Sequence, residues 1–409
     1  MFVNRSKQKT ALTRAKVIFL ADRLAVLRRL TSAALLCGMA LSMNLWFPIS
    51  RSFPRAPLLI GLPQKVTPPV EYFLSTLLSV ALVALVLAKR PMKYLIVAIV
   101  ALFLLCFLDQ TRLQPWVYQY LAVFVVIALD HQRRGEKLSV LTLSALQSIV
   151  ASLYLWGGLQ KLNYSFSHEV LPQLLGPTQN ILVLSPRQLS ALGLGIATIE
   201  MFTGFGLLLK KTRKICICLA LAMHGLILAL LIAQNQNTVI WAWNSALVLL
   251  VVVLFWRSDI SIGHVFRYWR AGNTGSRASI IVAALYAVLP ILSFWGWWDL
   301  YLSGALYSGN TPVAVVRVDG GIYERLAQTT KRQVFVTKSG ERMLPLYEWS
   351  MAELNVPPYP EFRVYQQLTR EICSFAEDKS QAELIVKTRP AIMNGSYRVI
   401  RMDCSDLDD

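Results

Sequence analysis

The chain has 409 residues, of which 55% are hydrophobic and only 16% charged, with a mean hydropathy of +0.48 and a formal charge of +18. That balance belongs to a protein that lives in a lipid bilayer. It gives no support to a nucleic-acid partner, because residues 1–298 carry +20, set in short gaps between apolar runs, while residues 299–409 carry −2.

In chain order, residues 1–29 form a basic N-terminal segment that is too long and too basic for a usual cleaved signal. Residues 12–30 read as an amphipathic helix on a membrane surface, with Leu20, Leu24 and Leu27 on one side and Arg23, Arg28 and Arg29 nearer the headgroups. A disordered basic arm is the other reading. Nine apolar stretches follow, at 30–49, 70–88, 92–109, 115–129, 138–161, 187–209, 213–233, 238–256 and 278–298. A spanning helix needs about 20 mostly apolar residues, so 115–129 is the weakest of the nine.

Nine spans with an inner N-terminus place 22 Lys/Arg in the inner segments and 6 in the outer loops. Such an asymmetry is the positive-inside pattern, and it predicts a cytoplasmic N-terminus and an extracytoplasmic C-terminus in the cell membrane. Two outer loops are unusual. Residues 50–69 hold five prolines and cannot be regular helix. Residues 164–186 are apolar without being a span, and are expected to lie on the membrane face or fold back over the bundle, within reach of Lys161.

After the paired Trp297 and Trp298 the composition becomes that of a soluble domain, residues 299–409. Val313–Val318, Gln333–Lys338, Glu383–Lys387 and Tyr397–Met402 read as strands, and Pro360 to about Phe375 as a helix. The fold class expected is an all-α polytopic bundle of about nine spans, 30–298, with a small α+β extracytoplasmic domain. Cys373 and Cys404 lie where thiols oxidise, and either pair or stay free. Cys216 and Cys218 are two residues apart on a helix and point about 200° from one another, so they suit core packing. Asp109 and Arg112 read as the plain polar end of the third span.

Inside the bundle the polar residues fall in stripes. On the span ending at Lys161, Ser144, Gln147, Ala151, Tyr154, Gly158 and Lys161 recur every three or four residues. Gly193, Ala197, Glu200 and Gly204 do the same on the next span, then Cys216, Ala220 and His224, and finally Trp241 and Asn244. An ammonium in hydrocarbon costs roughly 2.5–3.5 kcal/mol even on lenient scales. Lys161 therefore either snorkels to the interface or has a partner and a use. Depth along the helices suggests a Glu200–His224 pair near mid-membrane, beneath an outward-facing cavity with Lys161 at its mouth. The candidate site is Lys161, Glu200 and His224 as catalytic groups, with Tyr154, Trp241 and Asn244 binding a ligand. No metal-ligand spacing, phosphate loop or nucleophile elbow is present.

Gly157-Gly-Leu-Gln-Lys161-Leu-Asn163 resembles the G-x-x-K-L-[DN] motif of the HTTM family, bacterial relatives of vitamin K-dependent gamma-glutamyl carboxylase. Glu200, the basic turn Lys210-Lys-Thr-Arg213 and His224 are similar to that group's E…[RK]-x-R…H arrangement. The resemblance covers roughly 140–256. It implies Lys161 as the base toward a lipid or quinone-like molecule, with a quinone or reduced vitamin K-like lipid as cofactor. The wider DoxX/MauE group has a similar lysine and glutamate. Resemblance to it implies instead a non-catalytic membrane partner of an extracytoplasmic redox protein, in thiol or quinone chemistry.

Overall fold

The computed structural model describes residues 23–59, 68–131, 140–178, 183–260, the single positions 263, 265, 269 and 270, and residues 274–407. Most of the basic N-terminal segment lies outside the described residues. Arg23 to Leu30, expected at a membrane surface, form the start of the first long apolar helix.

Among the described residues, seven helices are long and apolar enough to cross a membrane. They are α1 (Arg23–Leu41), α2 (Pro68–Leu87), α5 (Val140–Gln160), α6 (Pro186–Leu208), α7 (Arg213–Ala233), α8 (Thr238–Phe255) and α9 (Thr274–Val288), the last continued as a 3₁₀ helix to Trp295. Two shorter apolar helices complete the bundle, α3 (Met92–Leu108) and α4 (Pro115–His131), each of 17 residues. At 1.5 Å per residue each is about 26 Å long, slightly short of the hydrocarbon thickness. Helices suit this setting because every backbone polar group is satisfied within the segment.

Local sequence sets the boundaries. Ser185 accepts the backbone N–H of Gln188, whose side-chain oxygen accepts the Ser185 N–H in return, and Pro186 occupies the first helical position. This capping box starts α6 on the residue after the cap. At the far end of α6 the buried Arg213 donates to the carbonyls of Leu207, Leu208, Ser258 and Ile260. One guanidinium thereby satisfies the terminal carbonyls of one helix and ties them to the chain leaving α8.

The buried axis of the bundle is α5, which packs against α4, α6, α8 and α9. Its closest partner is α6. A Cβ added to Gly158 would lie 2.4 Å from the Met201 nitrogen, and one added to Gly204 would lie 2.6 Å from the Ala151 oxygen. The small residues of the two stripes therefore face one another, and backbone meets backbone along the α5–α6 contact.

Asp109 and Arg112 do more than end a helix. Asp109 pairs with Arg51 at 2.8 Å, both side chains fully buried, and accepts the Ala56 and Thr111 N–H groups. Arg112 donates to the carbonyls of Leu45 and Leu105 and lies 3.5 Å from Glu71, which Arg55 holds through both oxygens. The proline-rich segment carrying Arg51 and Arg55 is thus drawn into the bundle. Its charges are tolerated there because each has a partner.

The C-terminal domain is an antiparallel sheet in the order β2-β3-β1-β4-β5, with β1 Val313–Val318, β2 Phe335–Val336, β3 Arg342–Pro345, β4 Ala382–Lys387 and β5 Val399–Asp403. Five strands replace the four expected. Val316 stands between Leu344 and Leu384, all three fully buried, and Ala314 and Val318 share that face. Two helices cover it, α10 (Leu346–Leu354) and α11 (Phe362–Cys373), the second through Val364, Leu368 and Ile372. Cys373 and Cys404 form a disulfide that joins the end of α11 to the residue after β5. A loop of that size contributes about 3–4 kcal/mol in the chain-entropy picture. Cys37, Cys106, Cys216 and Cys218 are free thiols.

Candidate functional site

The structure gathers five of the six site candidates into two hydrogen-bonded groups, both anchored on α5. In the first, Lys161 Nζ donates to Glu200 Oε2 at 2.8 Å, to Glu200 Oε1 at 3.0 Å and to the Gly157 carbonyl at 3.2 Å. All three ammonium protons are thereby engaged. The two side chains are 14% and 13% exposed, so the pair is shielded yet still reachable from the protein surface.

Gly157 explains part of the motif. A Cβ there would lie 2.6 Å from Glu200 Oε1 and 3.6 Å from Lys161 Nζ. The missing side chain is what lets the carboxylate settle beside the lysine. Gly158, one residue on, admits the α6 backbone.

In the second group, Tyr154 and the His224 ring share a 2.6 Å hydrogen bond at Nε2, and His224 Nδ1 lies 2.6 Å from Asn244 Oδ1. The Asn244 amide nitrogen donates to the Ile240 carbonyl, which turns its oxygen toward the ring. An amide oxygen only accepts, so His224 Nδ1 carries a proton. In the neutral ring Nε2 is then an acceptor, and the Tyr154 hydroxyl donates to it. The result is a buried tyrosine–histidine–asparagine relay, with all three residues at 5% exposure or less. Lys161, the residue after α5, follows Tyr154 by two turns, about 10 Å further along the helix axis.

The expected Glu200–His224 pair is not formed. Glu200 turns to Lys161 and His224 to Tyr154 and Asn244. The lysine stem accounts for the difference: it folds back one turn to the Gly157 carbonyl, bringing Nζ down to the level of Glu200. Trp241 stands apart, its indole donating to the Gln236 carbonyl in the preceding turn. Gln147 lies at the opposite end of α5, where it donates to the Leu254 carbonyl and the Ser258 hydroxyl.

Residues adjoining Lys161 carry a third set of contacts that sequence reasoning passed over. Gln160 donates to the Ser293 hydroxyl and accepts from the Asn310 amide. Asn163 donates to the Gln160 and Ser308 carbonyls and accepts the Phe166 N–H. The Gln and Asn flanking the motif lysine thus fasten the end of α5 to the chain entering the C-terminal domain. Two polar residues in an otherwise apolar run were the available signal. The segment after Asn163 is helical through Phe166–Val170 and Leu171–Leu174 and packs on α6, where a Cβ at Gly193 would meet Ser167 Oγ at 2.2 Å.

Among the described residues no three His, Cys, Asp or Glu side chains gather as a metal site. A narrow cleft by Trp156 and Tyr301 and a larger cavity by Trp298 and Arg389 are present, and neither is lined by Lys161, Glu200 or His224. The expected cavity with Lys161 at its mouth is therefore not among them. The chain matches no family model, no curated protein and no solved structure.

Proposed function

We propose that this chain is a membrane protein of HTTM type in which α5–α8 carry an acid–base site for a lipid-soluble, quinone-like molecule. The observation that supports the reading best is the pair of neighbouring polar groups on one face of α5: Lys161–Glu200, and Tyr154–His224–Asn244. Burying an ion pair and a hydrogen-bonded relay adds little to the stability of a bundle that apolar packing could hold. Both are the equipment for moving protons in a place where water is scarce.

Roles follow from the hydrogen bonds. An ammonium with three acceptors is not a base. Glu200, whose Oε2 lies 2.8 Å from Nζ, is the group placed to take a proton from it and free the amine. Lys161 then takes a proton from an acidic hydroxyl of the bound molecule. Tyr154, with His224 able to accept its proton, serves as the partner that gives or receives the second one. Asn244 fixes the tautomer that this exchange requires.

The experiment is an anaerobic titration of the purified chain with menadiol, the reduced and hydroxyl-bearing form of menadione, followed by quenching of the protein's intrinsic fluorescence. Saturable binding at one site is expected, weakened at least about tenfold by Lys161→Ala and by Tyr154→Phe, the loss of one buried polar contact each. Absence of saturable binding, or binding indifferent to both changes, contradicts the reading. One observation favours a second reading, of DoxX/MauE type: Lys161 is fully engaged by Glu200 and Gly157, as a purely structural lysine would be. In that case the chain is a non-catalytic partner of an extracytoplasmic redox protein.

A further inference from the structure

A cavity of about 260 Å³ lies where the last long apolar helix meets the C-terminal domain. Ser293, Gly296 and Trp298 face it from the bundle side. Phe362, Val386 and Ile400 give it apolar walls on the domain side, with Arg389 and Glu361 among them.

Its polar groups are incompletely used. The Trp298 indole N–H is buried and has no acceptor among the described residues. Arg389 donates Nε to Asn310 and Nη1 to the Ser293 carbonyl, and its guanidinium lies over the Phe294 ring. These contacts fix the group and leave Nη2 without a protein acceptor among the described residues. A buried donor left unmet is a cost that a bound acceptor removes, and a fixed guanidinium edge suits a phosphate.

The level of the cavity in the membrane can be read from its surroundings. Trp295 and Trp297, flanking the lining residue Gly296, are 63% and 75% exposed. Adjacent exposed indoles at the end of an apolar helix belong at a bilayer–water boundary. Glu361 offsets the cation only in part: burial, and then the neighbouring Asp299, push its carboxyl up to about 7 against Arg363 and Arg389, so near neutral pH it is partly protonated.

We infer that this cavity binds a membrane lipid with an anionic headgroup, its phosphate held by the Arg389 guanidinium and the Trp298 indole N–H. The volume suits a phosphate and the carbons next to it, while the acyl chains remain in the bilayer. Phe362, Val386 and Ile400 pack on the glycerol end. The site is separate from Lys161 and does not rest on the reading proposed for it.

The test is calorimetric titration of the full chain in a nonionic detergent with three probes: dihexanoyl-phosphatidylglycerol, dihexanoyl-phosphatidylcholine and inorganic phosphate. The anionic lipid is expected to saturate one site, the zwitterionic lipid to bind at least about tenfold more weakly, and phosphate alone not to bind. Arg389→Gln should abolish the binding, but it also releases Asn310 and the Ser293 carbonyl and could disturb the fold. Trp298→Phe is the cleaner variant. It removes an N–H that has no partner among the described residues, so it should cost no hydrogen bond within the protein and leave the thermal stability undiminished, and it should weaken the lipid about five- to tenfold. Equal affinity for the two lipids, saturation by phosphate alone, or a Trp298→Phe protein with unaltered affinity would each overturn the assignment.

Discussion

The glycines of α5 and α6 show most plainly what single residues do here. Gly158 and Gly204 let two backbones touch, and Gly157 makes room for a carboxylate. Gly158→Ala should therefore force the helices apart and destabilise the protein by about 1–3 kcal/mol, the usual cost of overpacking. At Gly225 a Cβ would meet nothing within 4 Å, so Gly225→Ala is the control. It should be neutral or stabilise by about 0.5–1 kcal/mol, because alanine is the better helix former. Thermal unfolding in detergent measures both, and equal effects of the two substitutions would remove the close-packing argument. The stripe holding these glycines was legible as a three-and-four spacing, because that spacing is the geometry of a helix face. The partner of Glu200 was not. Rise per residue gives a depth along each helix, but neither the rotation of the helix about its axis nor the folding back of the Lys161 stem.

At the scale of elements, hydropathy found the seven long apolar helices and the two shorter ones among the described residues, since an unbroken apolar run leaves few alternatives to a helix. It passed over the buried charges at Arg51, Glu71, Asp109 and Arg112, and the half-buried Arg55, whose partners are far apart in sequence and met only through the tertiary fold. In the C-terminal domain β-branched runs marked β1 and β4. Strand β3, Arg342–Pro345, escaped because Arg-Met-Leu-Pro carries no β-branched residue and ends in proline.

The same domain should respond to pH through Glu361, which accepts the Leu300 N–H and faces Asp299, Arg363 and Arg389. Its folded carboxyl is raised from an ordinary 4.5 to about 7, chiefly by burial. The folded state therefore holds a proton that the unfolded chain has released. The stability this contributes is fully present below about 4.5 and is lost as pH rises toward 7. Melting temperature should fall across that window in the wild type and fall less in Glu361→Gln, which keeps an acceptor for Leu300. An identical pH profile in the two proteins would show that Glu361 does not titrate there.

For the whole molecule, orientation turns on α3 and α4. They are consecutive and joined by the short turn at Gln110–Arg112. With both crossing, or neither, the number of crossings is odd, whereas loss of α4 alone inverts everything downstream; the charge asymmetry of the loops predicts an extracytoplasmic C-terminal domain. A reporter active only outside the cytoplasm, fused after Asp409, should be active. Activity of a cytoplasm-only reporter at the same position would reverse the orientation and place the end of α5 near Lys161 on the inner face.

The central claim is that Lys161 is there to exchange a proton and not merely to pair with Glu200. Arginine separates the two uses. It keeps the charge and can hold Glu200, but it does not give up a proton in a protein. The most direct measurement is complementation of a strain lacking the protein by Lys161→Arg, with membrane insertion checked by blot. The expected result is a normally inserted protein that fails to complement. Full complementation by Lys161→Arg would contradict the base assignment and leave Lys161–Glu200 as a structural ion pair.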